Sequence, residues 1–348
     1  MSSPGSSGRA LVSDAGERDL IDRIHRRLPP PPAQLLVGIG DDAAVASPDR
    51  GALQVLTTDA LVEGVHFDRR LSTAADIGYR ALAVNVSDVA AMGGTPRLAL
   101  LSLMLPPALP LADIDALLDG LLELARLTGV AIAGGNITRS PGPLIVDVSL
   151  VGSVKPRKVL RRAGGRAGDG LYVTGTIGAA AAGLAWLRAN AAEPGHADAQ
   201  PSSAALAECV ARYRRPEPRA RLGALLGRNR AASACMDLSD GLADAVTQVA
   251  AACGTGARID AAALPIHPGA QAWFTSTAVD PFFASVAGGD DYELLFAVPP
   301  RRRSRLRSVL REARGLAVTR IGELTAGRDV ELVRNGSAGP LPSGFTHF

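Results

Sequence analysis

Aspartate is the residue type whose placement suggests chemistry in this chain. Asp41 and Asp42 follow an apolar run and Gly40. Asp59 follows the strand-like segment Val55 to Thr58. Asp88 sits inside an apolar helical segment, Ala83 to Met92. Asp237 and Asp240 flank Ser239 at a strand-to-helix junction, and Asp290 and Asp291 follow Gly288-Gly289. An ionised carboxylate among apolar neighbours must be paired, bound to metal or protonated. Arginine is sparse near these motifs, and the chain has only two lysines, Lys155 and Lys158. A divalent cation is then the economical counter-charge. Carboxylates, threonine hydroxyls and asparagine oxygens are hard donors that suit Mg²⁺ better than Zn²⁺. The chemistry implied is Mg²⁺-dependent reaction at a phosphate, where metal ions clamp the attacking and leaving oxygens. Taken singly, the motifs have plainer readings. Asp41-Asp42 and Asp290-Asp291 each suit a turn, and Asp237 to Asp240 suits a helix N-cap. Their joint occurrence at strand ends beside glycine is the specific signal.

Composition narrows the means. Of 348 residues, 47% are hydrophobic and 20% charged, enough apolar surface for a sizeable core, and the length predicts two domains or one large one. Lys155 precedes Pro156 and Lys158 precedes Val159, so neither lysine completes a P-loop. The protein-kinase signatures are missing too. A net charge of +3 predicts no nucleic-acid footprint, and the arginine run Arg301 to Arg307 reads as a solvated helix face. The apolar stretch Leu98 to Leu111 is interrupted by Pro106, Pro107 and Pro110, so no membrane span is expected. Three cysteines without metal-ligand spacing fit a reducing compartment. The polar N-terminus lacks the layout of a signal peptide, and a cytoplasmic location is the expectation.

The elements that must position the aspartates alternate in type. A flexible N-terminus is expected over 1–16. Helices are expected over 17–28, 74–92, 111–128, 179–188, 204–213, 218–226, 242–252 and 303–314. Strands are expected over 35–39, 52–58, 98–105, 130–133, 144–154, 171–174, 292–298 and 316–321. Asn190 to Ser203 reads as a mobile loop, and the Gly- and Arg-rich stretch Arg161 to Gly170 as a linker. The pattern predicts a mixed α/β (α+β) chain in two domains. The first, 17–160, holds a sheet with helices, and the second, 161–348, is α/β.

Six motifs occur in order: Gly38 to Asp42, Thr57 to Asp59, Asn85 to Gly93, Val173 to Gly175, Asp237 to Gly241, and Gly288 to Glu293. In this series the chain resembles the thiamine-monophosphate kinase family of the aminoimidazole ribonucleotide synthetase superfamily. The resemblance implies a two-domain synthetase-like fold and transfer of the γ-phosphate of ATP onto thiamine monophosphate, giving thiamine diphosphate. It also implies a homodimer paired through the N-terminal sheets, with several Mg²⁺ ions and with ATP as co-substrate. By the motif match Asp42, Thr57, Thr58, Asp59, Asp88, Asp237 and Asp240 would hold the metals, and the five aspartates among them would carry catalysis. Gly135, Asn136, Arg162 and Ser239 would face the nucleotide. His66, Asp290 and Phe345 would face the substrate; His66 read alone is better explained by packing or surface exposure, and the resemblance reverses that preference.

This chain departs from the family pattern at three places. Asn136 stands where a metal-binding aspartate is expected, and it offers a carbonyl oxygen without charge. Asp290 stands where glutamate is frequent. Pro342 lies where a larger ring is expected. Two other readings follow from these departures: a superfamily kinase or synthetase with a different acceptor, and a weakened or non-catalytic nucleotide-binding paralogue.

Overall fold

A computed structural model describes residues 10–191 and 200–342. Most of the expected loop 190–203, the first nine residues and Phe345 lie outside the described residues. The helices are α1 (Glu17–His25), α2 (Ala74–Ala91), α3 (Leu111–Thr128), α4 (Ala179–Ala191), α5 (Ala204–Arg214), α6 (Ala220–Arg228), α7 (Leu242–Cys253), α8 (Pro268–Ser276), α9 (Pro281–Ala287) and α10 (Arg303–Ala313). The strands are β1 (Leu35–Val37), β2 (Val45–Ala46), β3 (Leu53–Val62), β4 (Thr95–Leu105), β5 (Ala131–Arg139), β6 (Ile145–Val154), β7 (Gly170–Thr174), β8 (Ala234–Asp237), β9 (Gly256–Asp260), β10 (Leu294–Val298), β11 (Val318–Thr325), β12 (Val330–Arg334) and β13 (Ser337–Pro340). By compactness the chain divides into a first unit (1–48, 58–82, 97–150) and a second unit (49–57, 83–96, 151–348). Among the described residues no helix is long and apolar enough to cross a membrane.

A four-stranded sheet has the order β3-β6-β4-β5, with β4 and β5 parallel. The helix α3 matches its expected limits. Its apolar face buries Ile114, Leu117, Leu118, Leu121 and Leu124, and Gly129 ends it in the left-handed conformation. The start of α2 is a capping box, in which the Asp76 main-chain N–H donates to Thr73 Oγ1 and the Thr73 N–H donates to Asp76 Oδ2, both at 3.2 Å. Within the expected flexible N-terminus, Leu11 bridges Pro110 and the Val12 N–H donates to the Leu109 carbonyl at 2.9 Å.

In the second unit a seven-stranded sheet has the order β13-β12-β9-β11-β7-β10-β8. Its neighbours are antiparallel except β9 and β12. One core cluster gathers α7 and α9 residues on this sheet, including Val246, Val249 and Val286. A second gathers α6 and α10 residues, including Leu226 and Val309. With apolar packing of this kind around it, β10 is buried at every residue and reads as a continuous apolar run. The pairing of Leu294 with Asp237 and of Leu295 with Val173 brings the ends of β8 and β7 to the start of β10. Asp237, Thr174 and Glu293 therefore meet at one end of the sheet.

Several expectations change. Asp59 does not end a strand, because β3 continues to Val62. The strand expected over 130–133 runs to Arg139, so Gly134, Gly135 and Asn136 lie within β5. The elements α8, α9, β9, β12 and β13 were not expected. The segment 161–170 is tied down rather than loose: the Cys235 N–H donates to the Arg161 carbonyl at 2.9 Å and the Gly165 N–H points at Cys253 Sγ.

Candidate active site

The second unit joins four of the sequence-derived residues. Ser87 and Asp88 are consecutive on α2 and point to different partners. Asp88 Oδ2 accepts a hydrogen bond from Thr57 Oγ1 on β3. Ser87 Oγ donates to Asp237 Oδ2, at the end of β8, at 2.6 Å. This part of α2 is fixed by a close backbone crossing. A Cβ added at Gly223 of α6 would lie 2.1 Å from the Ala90 carbonyl oxygen, so only glycine fits there.

Asp237 is buried, and burial pushes its carboxyl up to about 7. Repulsion from Asp88 adds to the shift, while the Ser87 hydroxyl and the Arg162 charge oppose it. Two carboxylates thus lie near enough to disfavour each other's charge, with hydroxyl donors fixing their orientation. Arg162 is exposed and hydrogen-bonds Gln248.

The loop after β8 carries Ser239 and Asp240 and is stitched to the loop before β10. The Asp290 N–H donates to the Ser239 carbonyl at 2.7 Å, the Tyr292 N–H to the Leu238 carbonyl at 3.0 Å, and the Leu238 N–H to the Glu293 carbonyl at 2.8 Å. Asp290 and Tyr292 are left-handed, at φ 69° and 49°, a backbone cost that these bonds sustain. The side chain of Asp291 points away from this loop. It accepts from the Gly178 and Ala180 N–H groups at 2.6 and 3.2 Å, at the start of α4. Burial outweighs both donors and pushes the Asp291 carboxyl up to about 7.

Glu293 is wholly buried and balanced by Arg219, which lends two donors, by Arg212 at 3.2 Å and by the Thr174 hydroxyl. Sequence reasoning missed Ser87, Asp291 and this Glu293 cluster. The run Arg212 to Arg219 was a legible signal, because six residues of that stretch are arginine or proline in an otherwise apolar region.

The remaining candidates belong to the first unit. Asp42 is exposed after β1, and its N–H donates to Asp41 Oδ1 at 2.9 Å. The pleat of β3 separates the neighbours at 57, 58 and 59. Thr57 and Asp59 share one face, whereas Thr58 is on the other with Leu56 and bonds Asp147 at 3.1 Å and Ser149 at 3.0 Å. The Thr57 and Thr58 hydroxyls therefore cannot both face one ion, and Thr58 could join Thr57 there only through its main chain. His66 Nδ1 accepts from the Val62 N–H at 3.1 Å, so Nε2 carries the proton of the neutral ring and serves as a donor. Gly135 is required by contact, since a Cβ there would lie 1.8 Å from the Leu101 carbonyl oxygen, and it places Asn136 exposed on β5.

The donor set suits Mg²⁺. Among the described residues no three carboxylates, imidazoles or thiols cluster as a ready-made metal cage. A hard ion held by one or two carboxylates and completed by hydroxyls, water and phosphate oxygens is the usual Mg²⁺ arrangement at phosphate. Asp88 and Asp237 bring two carboxylates of like charge near one another, a pair that a divalent cation would fit.

Comparison with known proteins identifies the family. The family model for AIR synthase related protein, N-terminal domain, matches residues 40–154, and that for its C-terminal domain matches residues 166–335. The thiamine-monophosphate kinase of Escherichia coli (strain K12) is 37% identical over 342 residues, covering 96% of this chain and 98% of that protein. The solved thiamine-monophosphate kinase of Stenotrophomonas maltophilia K279a superposes with a TM-score of 0.79 at 34% identity, covering 95% of this chain and 99% of the other. AaThiL complexed with AMPPCP and TMP gives a TM-score of 0.75 at 31% identity, covering 96% and 97%. With its carboxylate motifs in place and both domain models matched, the chain belongs to the thiamine-monophosphate kinase family.

Proposed function

We propose that this chain transfers the γ-phosphate of ATP directly to thiamine monophosphate, in line and with several Mg²⁺ ions. The observation that carries the reading is the paired arrangement of Thr57 with Asp88 and Ser87 with Asp237. The naming of AaThiL with AMPPCP and TMP supports the same pair of substrates. Asp42, Thr57, Thr58, Asp59, Asp88, Asp237 and Asp240 are the proposed holders of the metal ions, which when bound supply charge neutralisation at the phosphates. The protein's own part is positioning. Loose phosphoryl transfer needs alignment and electrostatic complementarity more than a strong base. The hydroxyls of Thr57 and Ser87 hold the two carboxylates in one orientation before substrate arrives. Arg162, Ser239, Gly135 and Asn136 are assigned to the nucleotide side. His66 Nε2–H, Asp290 and Phe345 are assigned to the thiamine phosphate side.

The two family matches leave residues 155–165 between them, which supports a domain boundary near residue 160. Leu56 and Leu100, 70% and 43% exposed on the four-stranded sheet, support a homodimer paired through that sheet. A cytoplasmic location fits three free cysteines. No nucleic acid or membrane is assigned as partner.

The test is direct. Purified protein with ATP, Mg²⁺ and thiamine monophosphate is expected to form thiamine diphosphate and ADP in equal amounts, and to stop when the metal is chelated. ADP release with another acceptor only would move the chain to a different substrate. ATP binding without turnover of any acceptor would make it the nucleotide-binding paralogue that the neutral Asn136 suggests.

A further inference from the structure

The second unit contains a cavity of about 680 Å³ that is lined by none of the residues assigned above to metal, nucleotide or thiamine phosphate. That volume is in the range of small-molecule sites, about 300–1,000 Å³. Arginine dominates its polar wall: Arg212 on α5, Arg219 and Arg221 at the start of α6, and Arg314 in the turn before β11.

The acidic groups nearby are already engaged. Glu217 pairs with Arg219 at 2.8 Å. Glu208 is 3.6 Å from Arg212 and 3.4 Å from His267 Nε2. Glu293 takes both Arg212 and Arg219. Arg221 donates to the Glu312 main-chain carbonyl at 2.9 Å. Among the described residues neither Arg221 nor Arg314 has a carboxylate partner, so two guanidinium charges are left over.

Other features have the same sign. Helices α6 and α8 both begin at this cavity, and α6 has no side-chain cap. The first N–H groups of α6 and its positive dipole end favour an anion, whereas α8 opens on Pro268 and its Gly269 N–H already donates to His267 Nδ1, so α8 adds only its dipole. Arg314 and Gly315 are both left-handed, at φ 31° and 84°, a conformation held at a cost beside the opening. Leu222 and Leu316 supply an apolar wall next to the cations.

We propose that this cavity binds a small organic phosphate, its phosphate between Arg221 and Arg314 and its heterocyclic or aliphatic part against Leu222 and Leu316. Guanidinium forks match phosphate oxygens bidentately, and the apolar wall selects for a molecule larger than inorganic anions. This assignment is independent of the kinase reading.

The test is calorimetric titration of the full chain, without Mg²⁺, using AMP and pyrophosphate as separate probes. AMP is expected to bind with a Kd of millimolar or tighter, and Arg221→Ala/Arg314→Ala to weaken it at least about tenfold. Arg314→Glu is the second variant. It reverses an exposed charge, it is expected to weaken AMP by a similar factor, and an unchanged melting temperature confirms its fold. No heat with either probe would overturn the proposal. So would equal affinity in wild type and variants. Binding of pyrophosphate without AMP would overturn the organic-phosphate assignment.

Discussion

Ser87 and Asp237, 150 residues apart in sequence, share a buried hydrogen bond of 2.6 Å, while the next residue on the same helix, Asp88, is held by Thr57. One turn of helix thereby fixes two carboxylates whose charges repel. The arrangement has measurable consequences.

Replacing Asp88 with Asn removes one charge of the pair without removing a side chain. The phosphoryl-transfer rate is expected to fall at least about a hundredfold at saturating ATP. Repulsion on Asp237 disappears in the same variant, so the Asp237 carboxyl should titrate lower than in wild type. Steady-state rates, with NMR titration of that carboxyl, check both outcomes.

Ser87→Ala leaves both charges and removes the donor to Asp237. A loss of about tenfold in kcat/KM for ATP–Mg²⁺ is expected, with partial recovery in Ser87→Thr. A wild-type value would show that the hydroxyl does not position Asp237.

Arg219 is 5% exposed and Glu293 not at all. Arg219→Ala strands a buried carboxylate and is expected to cost about 3 kcal/mol of stability, part of the usual loss being offset by Arg212. Arg219→Met with Glu293→Gln should be milder than Arg219→Ala alone. Chemical denaturation of the three proteins decides this.

Asp291 gives a pH dependence with a definite sign. Its carboxyl is raised in the folded state to about 7, so the folded state holds a proton that the unfolded chain has lost. Stability contributed at this position is greatest below the ordinary carboxylate range and falls as pH rises toward 7, after which it is level. Asp291→Asn does not titrate. Wild type should therefore lose stability relative to this variant between pH 4 and pH 7, and denaturation at several pH values will show whether the two curves diverge.

Asn136→Asp restores a charge on exposed backbone of β5, where no packing must change. The Mg²⁺ concentration for half-maximal rate is expected to fall several-fold. An unchanged or higher value would separate Asn136 from the metal sites.

Much of this was legible in the sequence because it depends on local rules. Helix α3 shows its apolar spacing and ends on Gly129, and Asp88 is conspicuous inside an apolar helix. What escaped depends on distance in space. Nothing near Ser87 in sequence announces Asp237. Asp291 looked like half of a turn, yet it reaches back to cap α4. Thr57 and Thr58 looked like one motif until the pleat of β3 turned them to opposite faces. The short β12 and β13 are strands through pairing with β9 and with each other, which local propensity does not encode.

The cluster around Glu293 has an evolutionary meaning. Thr174, Arg212, Arg219 and Glu293 come from four separate stretches of the chain, yet none can change its charge or hydrogen bonding alone without stranding another. They should behave as a single heritable character. A relative that has lost the glutamate is expected to have lost an arginine in the same lineage, and chimaeras that split the four between parents should fold poorly even when each parent is sound.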